Sequence, residues 1–148
     1  MLLVLFIILV IAFSFPSVQT KAAQWTTSYL NDSYDTDISI EKIHVSYSGN
    51  VSLENALALD HRKDTVIFVK NLETSIVSFS DLFNGQPDLG TVDLDGLYLN
   101  IHRYKEDGRD NLSLFIDKFG SSDNSSSAPF ILEASELNVT NSHIIVFD

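Results

Sequence analysis

The chain has 148 residues, enough for one ordinary domain behind an apolar head, with 45% hydrophobic and 20% charged residues. Twenty Asp and Glu against nine Lys and Arg give a formal net charge of -11, which excludes a basic nucleic-acid interface and a polybasic hold on anionic lipid. No cysteine is present, so disulfides, thiolate metal sites and a cysteine nucleophile are excluded as well.

In chain order the head comes first. From Leu2 to Val18, 14 of 17 residues are apolar and none is charged. The Leu2–Phe13 core has the length of a secretory h-region, whereas the stretch to Val18 has that of a short membrane span. No Lys or Arg precedes it, so the positive-inside rule gives no orientation. Val18, Ala22, Trp25 and Tyr29 then continue at helical spacing, and Trp25 and Tyr29 suit the interfacial belt just outside a lipid core. This continuity favours an anchor that is retained. It gives a transmembrane anchor over 1–18, held by Leu2, Leu5, Phe6, Leu9, Phe13, Phe15, Trp25 and Tyr29, and an amphipathic juxtamembrane helix over 19–35.

Beyond residue 36 the hydrophobic period falls to two, the mark of half-buried strands. "DISIEKIHVSYS" sets Ile38 and Ile40, then shifts phase to Ile43 and Val45. "NVSLENALALD" and "TVIFVKNLETSIVSF" follow on either side of a charged turn, "HRKD". "TVDLDGLYLNIHRY" sets Val92 and Leu94, then shifts phase to Leu97 and Leu99. Near the end come Leu137 and Val139, a turn at Asn141-Ser142, and "HIIVF". Phase shifts at Glu41-Lys42 and Asp95-Gly96 predict β-bulges, and repeated bulges predict a sheet that curls. Two short helices are expected, at "SFSDLFNG" and at "DNLSLFIDKFG". The second is capped by Asp110 and sets Leu112, Phe115, Ile116 and Phe119 on one face. Residues 121–129 read as a polar loop.

"VDLDGLYLNI" and "LEASELNV" form a loose internal repeat, each with an acidic residue before a Leu-x-Val/Ile pair. The apolar final strand predicts an open sheet edge that would receive further strands. The expected fold class is therefore mainly β with minor helix (α+β), a curved, bulged, mostly antiparallel sheet. Residues 36–148 are the start of an elongated β-groove domain that continues beyond residue 148.

No catalytic constellation is visible. His44, His61, His102 and His143 lie on four separate segments, and His44 and His102 alternate with apolar residues as solvent-facing positions would. Asp60 to Asp64 reads as a solvated hairpin turn with internally balanced charge, and Asp93 and Asp95 as the polar face of a strand. "KEDGRDN" lacks the ligand spacing of a calcium loop. The expectation is a protein that is not an enzyme and has no catalytic, cofactor or metal residues. Five Asn-x-Ser/Thr triplets, at Asn31, Asn50, Asn111, Asn124 and Asn138, give weak support to a glycoprotein.

The order "FPSVQTKAAQWTTSYLND", "ISIEKIHVSYSGNVSLENALALD", "DTVIFVKNLE", "LDGLYLNIHRY", "DNLSLFIDKF" and a strand pair resembles the N-terminal portion of the TamB family, related to AsmA-like proteins, in its Bacteroidota-type variant. The resemblance implies a single-pass protein of the bacterial inner membrane with its body in the periplasm. It further implies a β-groove that carries phospholipid toward the outer membrane, and a link to outer-membrane protein assembly and secretion through an Omp85-class barrel. Barrel docking in that family uses a C-terminal domain that these residues do not include. On this reading the alternate apolar residues Ile38, Ile40, Ile43, Val45, Val92, Leu94, Leu97, Leu99, Leu137 and Val139 line the lipid groove. The rival reading is a secreted or surface β-domain that binds a protein or carbohydrate after signal-peptide removal.

Overall fold

A computed structural model describes Val4, Ile8, residues 11–12, 14–78, 88–120 and 133–147. Helix α1 runs over Pro16–Tyr34, and strands β1 (Asp37–Val45), β2 (Asn50–Leu59), β3 (Thr65–Ser75) and β4 (Asp88–His102) follow. Helix α2 (Asn111–Gly120), β5 (Glu133–Thr140) and β6 (His143–Phe147) complete the chain. The expected helix at "SFSDLFNG", residues 78–85, lies outside the described residues but for Ser78, and the polar loop, 121–129, lies wholly outside them.

The fold is mainly β, as expected: one open sheet of six strands in the order β1-β2-β3-β4-β5, with β6 also on β4. The sheet is mixed rather than mostly antiparallel, because β5 and β6 both run parallel to β4. Asn141-Ser142 is consequently not a hairpin turn. One constant offset carries from Asp88↔Glu133 to His102↔Phe147, so β5 and β6 are a single strand broken at residues 141–142.

Proline at the first turn starts α1, after an extended Phe15 (φ -87°, ψ 124°), so the chain leaves helical geometry between the apolar head and this helix. Asp35 ends it in the left-handed region (φ 51°). α1 lies along the free edge of β1, and its polar side chains bond to the strand's backbone. Gln19 donates to the Val45 carbonyl (2.8 Å) and accepts from the Val45 N–H (2.8 Å). Asn31 does the same at Ile38 (2.8 and 2.9 Å), and Thr20 is 3.4 Å from both backbone groups of Ile43. An amide side chain offers a donor and an acceptor side by side, as a neighbouring strand would. The first edge of the sheet is sealed this way. Gln19→Leu should cost about 1–3 kcal/mol through unsatisfied backbone groups, read as a lower urea midpoint, and should introduce concentration-dependent association in sedimentation.

Asn111, fully buried at the start of α2, repeats the device on β4. Its amide donates to the Asn100 carbonyl (3.0 Å) and accepts from the His102 N–H (2.9 Å), beyond the point where β3 pairing stops. Asp110 caps the helix as expected, accepting from the Ser113 N–H at 2.8 Å. Phe115 is buried and Phe119 meets Tyr34 of α1 at 5.4 Å between ring centroids, but Ile116 is 57% exposed and leaves the expected face.

The β2–β3 turn is a hairpin turn with residues 61–64 exposed, as expected, but Asp60 is buried and the charges are not balanced within the turn. Asp60 is 4% exposed and accepts from the backbone N–H groups of Arg62 (2.8 Å) and Asp64 (3.0 Å). The Tyr104 hydroxyl is shared between Asp60 (2.7 Å) and Asp64 (2.8 Å), and Arg62 stacks 4.1 Å above the Tyr104 ring. His61 meets Asp107 at 2.9 Å, Arg62 meets Glu106 at 2.9 Å and Lys63 meets Asp37 at 2.7 Å, so the side chains of the turn find partners on other segments. His102 is half-buried with its ring 4.0 Å from that of Tyr104, not solvent-facing, whereas His44 is exposed as expected.

Burial pushes the Asp60 carboxyl up, but hydrogen bonds from Tyr104, the two backbone N–H groups and Asn111 outweigh it and hold the group below its ordinary value. A depressed carboxyl contributes stability above its unfolded value, about 4, and loses it as pH falls through the folded value. Tyr104→Phe should therefore cost about 1–2 kcal/mol at pH 7. Urea unfolding as a function of pH should show this difference narrowing below about pH 4.

Candidate functional site: a creased apolar sheet face

Cross-strand partners share a face of a sheet, so the pairing register locates the ten expected groove residues. One row reads Ile38, Ala58, Ile67, Leu99, Ile144, and the next Ile40, Ala56, Val69, Leu97. A third reads Ile43, Leu53, Leu72, Leu94, Val139, beside Val45 with Val51 and Val92 with Leu137. All ten fall in these rows. The sequence reading missed their partners Val51, Leu53, Ala56, Ala58, Ile67, Val69, Leu72 and Ile144.

Strict alternation would put Ile40 and Ile43 on opposite faces. Two consecutive exposed residues, Glu41 and Lys42, stand between them and restore the phase. The expected bulges are not the cause, since no strand gains a residue on its neighbour here. The one register shift in β2–β3 lies elsewhere, at Ala58-Leu59. Instead, every pairing passes over the same row: Glu41 with Asn55, Asn55 with Lys70, Lys70 with Gly96, and Gly96 with Asn141. Asn55 (φ 52°), Gly96 (φ 69°) and Asn141 (φ 50°) are all left-handed. Asn and Gly tolerate that region best. The sheet is creased along one line, and its apolar face continues across it.

Three strands spell the crease alike: Val51-Ser-Leu53-Glu-Asn55-Ala-Leu-Ala58, Val92-Asp-Leu94-Asp-Gly96-Leu-Tyr-Leu99 and Leu137-Asn-Val139-Thr-Asn141-Ser-His-Ile144. This apolar-x-apolar-x-(Asn/Gly)-x-x-apolar pattern replaces the looser repeat seen in the sequence.

The apolar face is unevenly covered. Ala58, Val69 and Val92 are buried, whereas Leu137 is 60% exposed and Val139, Ile144 and Val146 are exposed beside it. On the opposite face runs a polar row, His44, Ser52, Glu73, Asp93 and Asn138, of which the first four line a cleft of about 470 Å³. Asp93 accepts from Asn138 (3.0 Å). Asp95 accepts from Asn141 (2.6 Å) and Thr140 (3.0 Å), which hold its carboxyl below the usual value. Both carboxylates tie β4 to the β5–β6 strand. Among the described residues no three His, Cys, Asp or Glu gather as metal ligands.

Of the expected anchor residues, Leu2, Leu5, Phe6, Leu9 and Phe13 lie outside the described residues. Phe15, just before α1, is exposed, as are Trp25, by 74%, and Tyr29 on the helix itself. Among the described residues no helix is long and apolar enough to cross a membrane. The asparagines of the described Asn-x-Ser/Thr triplets all make side-chain hydrogen bonds. Asn31 and Asn111 spend their amides on backbone groups, Asn138 donates to Asp93, and Asn50 donates to Ser48 (3.2 Å). Asn124 lies outside the described residues.

No protein-family model, curated protein or solved structure matches this chain.

Proposed function

We propose that this chain is the N-terminal part of a membrane-anchored envelope protein of the TamB/AsmA-like type, whose creased sheet carries phospholipid acyl chains on its apolar face. In that role it serves inter-membrane phospholipid transport and outer-membrane protein assembly and secretion, from the bacterial inner membrane into the periplasm. The observation that carries the reading is the continuity of apolar rows across the strands, ending in exposed Leu137, Val139 and Ile144. An acyl chain laid on such a face gains about 0.8 kcal/mol per buried CH₂. The acidic balance fits contact through tails rather than through headgroup charge. The exposed Trp25 and Tyr29 on α1, next in chain order to the apolar head, suit the lipid–water boundary.

The test is phospholipid carried by the full chain purified from membranes and quantified by mass spectrometry. Val139→Asp with Ile144→Asp, both at exposed positions, should lower bound phospholipid by about tenfold while leaving the thermal unfolding midpoint nearly unchanged. Equal phospholipid on parent and variant would overturn the reading.

A further inference from the structure

We propose that α1 is an interfacial helix that lies in the plane of the bilayer on its exposed apolar stripe and sets the sheet on edge, with β1 against the lipid surface. The inference takes the membrane from the reading above and adds how the folded body meets it.

The helix is inside out. A surface helix ordinarily turns its apolar stripe to the core, but α1 gives β1 its polar side chains. Gln19 and Asn31 bond to backbone groups of the strand, Thr20 stands 3.4 Å from two more, and Thr27 is buried. At 3.6 residues per turn these four span about 120° of the helix, and Val18, Trp25 and Tyr29 fall within about 40° of one another on the opposite side. All three are exposed, and Phe15 and the head residues Val4, Ile8 and Ile11 are each more than half exposed. Sequence spacings of four and three link them all, through Ala22, into one stripe.

Charge names the occupant. Lys21 is the one charged side chain before Asp32, and all twenty Asp and Glu follow it. An anionic lipid surface repels so acidic a body but not this helix. Its polar half keeps α1 from crossing a membrane. Trp25 and Tyr29, apolar rings with one polar atom each, suit the headgroup level.

Orientation follows from how α1 grips β1. Gln19 meets Val45, Thr20 meets Ile43 and Asn31 meets Ile38, so helix and strand run antiparallel side by side. These contacts extend over about 18 Å of helix and about 23 Å of strand. A helix lying flat therefore holds β1 flat beside it. The other strands follow in order away from the lipid, β5 up to about 19 Å beyond β1 at the ordinary strand spacing. The apolar rows, which cross the strands, then rise from the membrane surface.

Trp25 is the one tryptophan of the chain, so the full chain in phosphatidylcholine–phosphatidylglycerol vesicles carries its own probe. Lipids brominated near the headgroup end of the acyl chain should quench Trp25 more than lipids brominated near the methyl end. With Trp25→Phe in place, Val18→Trp and Tyr29→Trp should be quenched at the same depth. Ser17→Trp and Gln24→Trp should lose the quenching and open to aqueous iodide. Energy transfer to a dansyl-labelled headgroup should be stronger from Ser39→Trp on β1 than from Glu136→Trp on β5. All six substituted positions are exposed, so unchanged urea midpoints are expected. Quenching that decays steadily from Ser17 to Tyr29 would mean an upright helix. Absence of lipid quenching, with or without dimers in sedimentation, would mean that lipid does not cover the stripe. Either result, or equal transfer from β1 and β5, overturns the proposal. Bound phospholipid is a separate readout, so failure of α1 to lie flat and failure of the sheet to carry lipid are told apart.

Discussion

Asn111→Ala is expected to cost about 3 kcal/mol of stability, read as a lowered urea midpoint at unchanged slope. The side chain is fully buried and bonds at once to the Asn100 carbonyl and the His102 N–H. Alanine leaves both backbone groups in the interior with neither strand nor water to replace the amide. Asn111 also supports the Asp60 carboxylate, so the loss reaches the β2–β3 turn through one more hydrogen bond. Asn50→Ala, at an exposed Asn-x-Ser triplet, should change stability by no more than about 0.5 kcal/mol. If the two variants behaved alike, the amide would not be substituting for a strand.

Gly96→Val is the second large effect, at about 3 kcal/mol. Gly96 sits at φ 69°, and a Cβ there would lie 2.8 Å from the Cβ of Lys70. A β-branched residue meets both the conformational penalty and the clash, and the crease cannot relax at one strand without disturbing its neighbours on either side. Asn55→Gly and Asn141→Gly hold the left-handed conformation without a side chain and should stay within about 0.5 kcal/mol of the parent. Thermal or urea unfolding of the three variants separates a crease that requires φ above zero from one set by side-chain packing.

The two phase shifts at Glu41-Lys42 and Asp95-Gly96 were legible in the sequence, because large apolar residues flank them on both sides. Their alignment was not. In β2 the crease at Asn55 is followed by Ala56 and in β5–β6 the crease at Asn141 by Ser142, residues too small to mark a face. Single strands therefore read as isolated bulges, and only the register joins them into one line. Asn141-Ser142 carries ordinary turn residues, and local chemistry alone does not separate a hairpin from a kink within one parallel strand.

In the sequence Gln19 and Thr20 fall off the stripe of Val18, Ala22, Trp25 and Tyr29, and nothing marks them or Asn31 as facing a strand. Polar side chains facing unpaired backbone are indistinguishable in sequence from polar side chains facing water. The apolar stripe of Trp25 and Tyr29, set by the same periodicity, is correspondingly left outward. The candidate groove was more legible than the topology, since alternation alone places the ten residues on one surface and needs no strand order.

The row that the pairing passes over also has a mechanical meaning. A sheet resists bending because ladder bonds couple neighbouring strands at every second residue, and here the coupling lapses at the same level in each strand. The line from Glu41 to Asn141 is thus the compliant axis of the sheet. The half that holds Ile43, Leu53 and Leu94 can swing against the half that holds Ile40, Ala56 and Leu97 without breaking pairs within either. Two stiff leaves meeting at a soft line can widen or narrow the angle between them to suit what lies on the apolar side. Backbone amides at Glu41, Asn55 and Lys70 will exchange with solvent deuterium sooner than those two residues away on the same strands.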